Sequence, residues 1–155
     1  MKDTAYEAAL RILVRRPHSE GELAQKLKRK SFDDDEIAAT LDQLRADRHL
    51  DDSRLARDFV QYHLDYKPMG KRGIARRMYL KKFTQADIDQ ALVVVDQQVE
   101  QRLAEQLARR KLATTALQNT SPERQREKVV RFLLSRGFSN DTVGSLLDRF
   151  ETIAD

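Results

Sequence analysis

The sequence predicts an all-α protein, an elongated array of three tandem three-helix repeats of helix-turn-helix type, on three observations. Of its 155 residues 40% are hydrophobic, 35% charged and only 6% aromatic, which spreads the apolar material as thin stripes under a charged exterior. Five Gly and three Pro are too few for the frequent turns of a sandwich or barrel. The third observation is a spacing that recurs around Phe32, Phe83 and Phe138. Nine residues before each stand Leu23, Ile74 and Val129, and five before stand Leu27, Met78 and Leu133. Five after stand Ile37, Ile88 and Val143, and nine after stand Leu41, Leu92 and Leu147. All twelve positions are apolar, and steps of four residues are one helical turn, so the unit reads as helix, Phe turn, helix.

The elements follow in order. Thr4 to Arg16 is amphipathic and predicts a first helix. Ser19 with Glu22 has the spacing of a capping box opening the second, and Asp33 with Glu36 repeats it for the third. Ser53 to Tyr66 predicts the fourth helix, and the stretch through Ile74 and Met78 the fifth. Thr84 with Asp87 opens a sixth, whose apolar positions run on through Ile88, Leu92, Val95, Val99, Leu103 and Leu107. One long helix to about Lys111, shared by the second and third repeats, is therefore expected. LATTALQNTSP reads as a loop, Ser121-Pro122 as a cap with Pro at the first helical position, and the segment after Phe138 as the closing helix. A Phe-turn pair alone cannot cover its apolar faces, so each is preceded by a further helix, giving repeats at 1–50, 51–100 and 101–155 in one stacked array.

Composition excludes several classes of function. Without cysteine there are no disulfides, thiolate metal sites or cysteine nucleophiles, in keeping with a reducing cytosol. The longest apolar run is Ala91 to Val95, so no membrane segment is expected, and a cytoplasmic location and a monomer are. His18, His49 and His63 lie in three different segments, and no hydrolase, metalloprotease or phosphate-loop motif is present. Asp33-Asp34-Asp35-Glu36 lacks the spacing of a calcium loop and suits a helix N-terminus instead. Gly70-Lys71-Arg72-Gly73 lacks the strand that precedes a phosphate loop. Neither enzymatic activity, nor a cofactor, nor a metal is expected.

Charge is more informative by position than in sum. The net charge is +4, yet Lys67, Lys71, Arg72, Arg76, Arg77, Lys81 and Lys82 fall in sixteen residues that hold no acid. With Ile74 at 0° on a helical wheel, Met78 falls near 40°, whereas Tyr79, Arg72 and Arg76 fall at about 140°, 160° and 200°. The last three face away from the core stripe. Soluble helix faces normally mix both signs, so this one-sign face with Tyr79 on it reads as a binding surface for phosphates or an acidic protein groove. Arg124, Arg126, Lys128, Arg131 and Arg136 form a second candidate cluster, although Glu123 and Glu127 stand where helical pairing is available. The last helices of the repeats begin DDDEIAATLD, TQADIDQAL and SNDTVGSLLD, acidic throughout, which disfavours a recognition helix in a DNA groove.

Four strings carry a family resemblance: Ala8-Ala9-Leu10-Arg11-Ile12-Leu13; His18-Ser19-x-x-Glu22-Leu23-x-x-Lys26-Leu27; Leu50-Asp51-Asp52-Ser53-Arg54-Leu55-Ala56; and Arg131-Phe132-Leu133-Leu134-x-Arg136-Gly137-Phe138. Over nearly its whole length the chain resembles the RecX family of regulators of the RecA recombinase. The resemblance implies three tandem three-helix repeats lodged in the groove of a RecA filament on single-stranded DNA. It also implies that RecA ATPase, coprotease and strand-exchange activities are modulated, usually inhibited, with a role in DNA repair and the SOS response and no enzymatic activity. Of the family motif, Asp51, Asp52 and Arg54 carry over, either as helix cap and ion pair or as partner contacts. The middle repeat departs from the family pattern. Lys71 stands for a common Pro, Gly73 for Arg, Arg77 for Glu, Lys82 for Gly, and Leu55 for Phe. The other reading of the same basic surface is nonspecific DNA binding, with a helical adaptor for some other acidic protein as a third.

Overall fold

Short polar side chains decide where the helices begin. The computed structural model describes residues 3–154, and its helices are α1 (Ala5–Arg15), α2 (Glu20–Arg29), α3 (Asp34–Ala46), α4 (Asp52–Asp65), α5 (Lys71–Leu80), α6 (Gln85–Ala91), α7 (Gln97–Leu112), α8 (Thr115–Gln118), α9 (Pro122–Ser135), α10 (Asn140–Leu147) and α11 (Phe150–Ala154). α1, α2 and α3 pack on one another, as do α7, α9 and α10, and α4–α6 lie between these groups in sequence. Thr4, Ser19, Asp33, Thr84, Asp96, Ser121 and Ser139 each accept the backbone N–H three residues on, satisfying amides that the first helical turn leaves without partners. Thr4 and Asp33 complete capping boxes with Glu7 and Glu36. Ser19 does not, because the Glu22 carboxylate turns to Arg16 at 3.0 Å.

The three Phe turns are one structure made three times. Ser31, Lys82 and Gly137, each just before its Phe, have φ of 68°, 63° and 82°. In each the Phe N–H donates to the carbonyl five residues back, on Leu27, Met78 or Leu133, while the residue before it donates to Lys28, Tyr79 or Leu134. This is the Schellman arrangement, which turns the Phe back toward the helix just ended. Of the twelve apolar repeat positions ten are buried, Leu41 and Leu147 being half-buried; Phe83 and Phe138 are buried and Phe32 half-buried.

Two expectations are corrected. The long helix from Thr84 is interrupted: α6 ends at Ala91, a 3-10 turn covers Leu92–Val94, and Asp96 caps a new helix through the Val99 N–H at 2.8 Å. The apolar spacing runs across the break because both sides bury their residues, Leu92 and Val95 before it and Leu103 and Leu107 after. The expected loop after Lys111 contains α8, whose Leu117 is buried. The sequence reading also passed over α11, which buries Phe150 and Ile153 against the α7, α9 and α10 core.

Contacts divide the chain into two units, Met1–Phe59 with Arg77–Ala91 and Val60–Arg76 with Leu92–Asp155. The first has its core in Ala8, Ala9, Leu23, Leu27, Ile37, Leu44 and Leu50. The second has its core in Leu103, Leu107, Val129, Leu133, Phe138, Val143 and Leu146, with Phe150 and Ile153.

Each unit contains a joint of the same design. In the first, the Ser19 hydroxyl donates to the Lys81 carbonyl, and both Asp52 oxygens accept the Glu20 N–H at 3.0 and 3.1 Å. In the second, the Gly70 N–H donates to the Arg136 carbonyl at 2.9 Å, and Glu100 accepts the Lys71 N–H at 3.2 Å. Ser19 and Gly70 are equivalent in the repeat, as are Lys81 and Arg136. The start of a middle helix thus rests on the Phe turn of the next repeat, with a carboxylate from that repeat on its first amide. Backbone approaches backbone so closely that a Cβ on Gly21 would lie 2.5 Å from the Lys82 oxygen, and one on Gly70 2.3 Å from Gly137.

Candidate partner-binding surface

α5 is the helix on which the basic stretch falls. It buries Gly73, Ile74 and Met78 and exposes Lys71, Arg72, Arg76, Arg77 and Tyr79, the last by 66%. Lys67 before it and Lys82 after it are exposed. Lys81 differs: it is half-buried, its ammonium 5.8 Å above the Phe59 ring and its carbonyl taken by Ser19.

None of Lys67, Lys71, Arg72, Arg76, Arg77 and Lys82 has a carboxylate partner among the described residues. Several cations elsewhere are paired, Arg16 with Glu22, Arg45 with Glu20 and Asp42, and Arg109 with Glu105, whereas the α5 stretch has six with no such pair among the described residues. Six uncompensated charges on and beside one short helix repel each other, which costs stability and makes an anionic partner favourable. The N-terminus of α5 is secured despite them. Glu100, only 8% exposed, places one oxygen on the Lys71 N–H and the other on the Thr142 hydroxyl at 3.1 Å. A buried carboxylate at a helix N-terminus satisfies an amide and complements the helix dipole.

The α9 cluster divides. Arg124 and Lys128 are exposed without a carboxylate partner. Arg131 pairs with Glu127 at 3.0 Å, Arg126 donates to the Leu147 carbonyl and lies 5.6 Å from the Phe150 ring, and Arg136 lies 5.1 Å from the Phe132 ring. Arg126 and Arg136 thus cover aromatic rings of their own unit as well as facing water, while Arg131 is an exposed ion pair. Within the second unit the Gly70–Arg136 hydrogen bond brings Lys71 and Arg72 beside the Arg136 turn, where the Arg72 carbonyl carbon would lie 3.2 Å from a Cβ on Gly137.

The Asp51-Asp52-Ser53-Arg54 motif has three separate structural engagements. Asp51 accepts the Arg54 N–H at 3.0 Å and caps α4. Asp52 holds the start of α2. Burial raises its carboxyl from 3.8 to about 6; the Glu20 amide opposes this, and the charges of Glu20, Asp87 and Asp51 add to it. The Arg54 guanidinium lies 4.0 Å from Asp58 with its side chain 73% exposed, a loose pair that leaves it accessible.

Sequence reasoning passed over Glu100, whose signal was an acid one turn before Leu103 and Ala104 on the buried face of α7. It also passed over Tyr62 on α4 and Tyr66 just past its end, both exposed, with ring centroids 5.7 Å apart. Among the described residues no group of His, Asp or Glu is placed to hold a metal, and no helix is long and apolar enough to cross a membrane.

A family model described as RecX, first three-helix domain, matches residues 5–44, and one described as RecX, third three-helix domain, matches residues 98–147. The chain is 34% identical to a regulatory protein RecX of Chlorobaculum tepidum, covering 92% of this chain and 85% of that one. With a regulatory protein RecX of Vibrio campbellii the figures are 33%, 91% and 88%. Among solved structures, a crystal structure of regulatory protein RecX aligns at a TM-score of 0.81 with 26% identity over 93% of this chain and 71% of that one. RecX from Lactobacillus salivarius has the same fold, at a TM-score of 0.82 and 20% identity, over 96% and 95%.

Proposed function

This chain belongs to the RecX family of regulatory proteins, and from that premise we propose that it inhibits the RecA recombinase by binding in the groove of the RecA filament on single-stranded DNA. The observation that carries this reading is the run of uncompensated basic side chains on and beside α5. A protein filament wound on DNA carries phosphates, and a cationic helix with no internal counter-charge gains most from an anionic partner of that kind. Arg124 and Lys128 extend the contact, and Arg54 supplies a further accessible guanidinium. Bound there, the protein lowers ATPase, coprotease and strand-exchange activity without performing chemistry of its own, as a monomer in the cytoplasm.

The test is the DNA-dependent ATPase of the cognate RecA, titrated with this protein at physiological salt beside a binding assay on the same DNA without RecA. Inhibition at concentrations too low to coat bare DNA supports the reading. An unchanged ATPase rate with tight, salt-sensitive binding to bare DNA replaces it with nonspecific DNA binding.

A further inference from the structure

The first repeat contains a third concentration of positive charge, built differently from the α5 and α9 clusters and sharing no residue with them. Between α1 and α2 lies a cavity of about 460 Å³ lined by Arg11, Arg15, Arg16, Lys26 and Lys30, with Asp3 the one acid among its described lining residues. Asp3 is bound to Arg11, and Arg16 is bound to Glu22. Arg15, Lys26 and Lys30 are left without a carboxylate among the described residues.

Lys26 is held in an unusual way. His18 lies in the same cavity wall and is 3% exposed, with Nδ1 2.9 Å from the Arg16 carbonyl and Nε2 2.8 Å from the Lys26 ammonium. A carbonyl accepts only, so Nδ1 carries the proton and donates; Nε2 then has the free lone pair and accepts from Lys26. That hydrogen-bond pattern is the neutral imidazole's, and burial lowers the His18 pKa, with the Arg16 and Lys26 charges acting the same way against the Arg16 carbonyl and the Glu22 charge. A neutral imidazole fixes the direction of the ammonium without cancelling its charge. The helix dipole favours cations near the ends of α1 and α2, where Arg15, Lys26 and Lys30 stand, but it does not account for a half-buried ammonium aimed by a ring nitrogen.

We propose that this cavity is a phosphate-binding site, in which Lys26, oriented by His18, acts with Arg15 and Lys30 on the oxygens of a phosphate mono- or diester. Point-charge ammonium groups and a guanidinium around a tetrahedral anion suit this chemistry. No aromatic side chain other than His18 lines the cavity, so it has no platform for a base. Its volume exceeds that of one phosphate group and leaves room for the attached ester.

The test uses the full chain at low salt, with inorganic phosphate and, separately, an oligothymidylate lacking terminal phosphates, following the backbone amide signals of residues 15–30 by NMR. A saturable shift with phosphate is expected, its affinity falling about tenfold in Lys26→Gln and in Arg15→Gln, one charge-assisted contact each, and unchanged in Arg149→Gln. His18→Gln keeps every lysine and arginine charge and is expected to weaken binding by reorienting Lys26; an undiminished affinity there refutes the positioning role. Parallel losses with the oligothymidylate assign the ligand to a nucleic-acid backbone, and losses with phosphate alone assign it to a monoester. No saturable shift, equal affinity in Lys26→Gln with helicity intact, or tighter binding of polyglutamate than of phosphate overturns the proposal.

Discussion

The joints that seat α2 and α5 share a geometry and differ in chemistry. At α2 the contact to the following Phe turn is made by a side chain, the Ser19 hydroxyl, and the first amide is held by half-buried Asp52, whose neighbours Glu20, Asp87 and Asp51 are also acidic. At α5 the contact is made by the Gly70 backbone, and the amide is held by buried Glu100, whose second oxygen is satisfied by Thr142. The repeat therefore conserves a backbone arrangement and leaves open which groups complete it. The seat beneath the cationic helix is fully hydrogen-bonded, whereas the α2 seat holds a carboxylate that titrates near neutrality.

The largest break in the α5 joint is expected from Gly137→Ala. A Cβ there would lie 2.2 Å from the Gly73 nitrogen at a φ of 82°, so the two backbones must separate, at about 3 kcal/mol by chemical denaturation. The control is Gly144→Ala in α10, which meets nothing within 4 Å and is expected to gain about 0.5–1 kcal/mol from helix propensity. Equal effects at the two positions would refute the close approach.

Glu100→Ala is expected to cost about 1–3 kcal/mol, because it strands the Lys71 amide and the Thr142 hydroxyl away from water. Asp52→Ala is expected to cost less, its site being more open. A larger loss at Asp52 would invert the comparison.

The smallest effect is in pH dependence. Asp52 titrates at about 6 in the folded chain against an ordinary 3.8, so between those values the folded state binds the extra proton. The stability conferred by that proton is complete below about pH 4 and is lost as pH rises through about 6. Asp52→Asn is expected to flatten the fall in thermal midpoint across this window, and a fall as steep as in the parent would contradict the assignment.

Much of this architecture was legible because the apolar spacing repeats around each Phe, and helical period and capping residues are local properties. Gly137 announces a left-handed position, but Ser31 and Lys82 adopt the same conformation without any side-chain signal, because the turn and the packing of Phe impose it. The break at Asp96 was hidden by an apolar pattern that continues through it, where only the cap marks the interruption. At the candidate surface the outward face of α5 could be read from its wheel. The engagement of Arg126 with Leu147 and Phe150 could not, since it depends on residues more than twenty positions away. Asp52 shows the same limit: the local reading was that Asp51 or Asp52 caps α4, Asp51 does so, and that Asp52 caps α2 across the chain had no local signal.

The central claim is tested most directly by the RecA ATPase titrated with Arg72→Glu/Arg76→Glu/Arg77→Glu beside the parent chain. All three side chains are exposed and unpaired, so helicity and thermal midpoint are expected to be retained. The account predicts that half-inhibition needs at least about tenfold more of the variant, since reversing three contact charges costs on the order of 1.4 kcal/mol or more. Equal inhibition by variant and parent would contradict it and remove α5 from the interface.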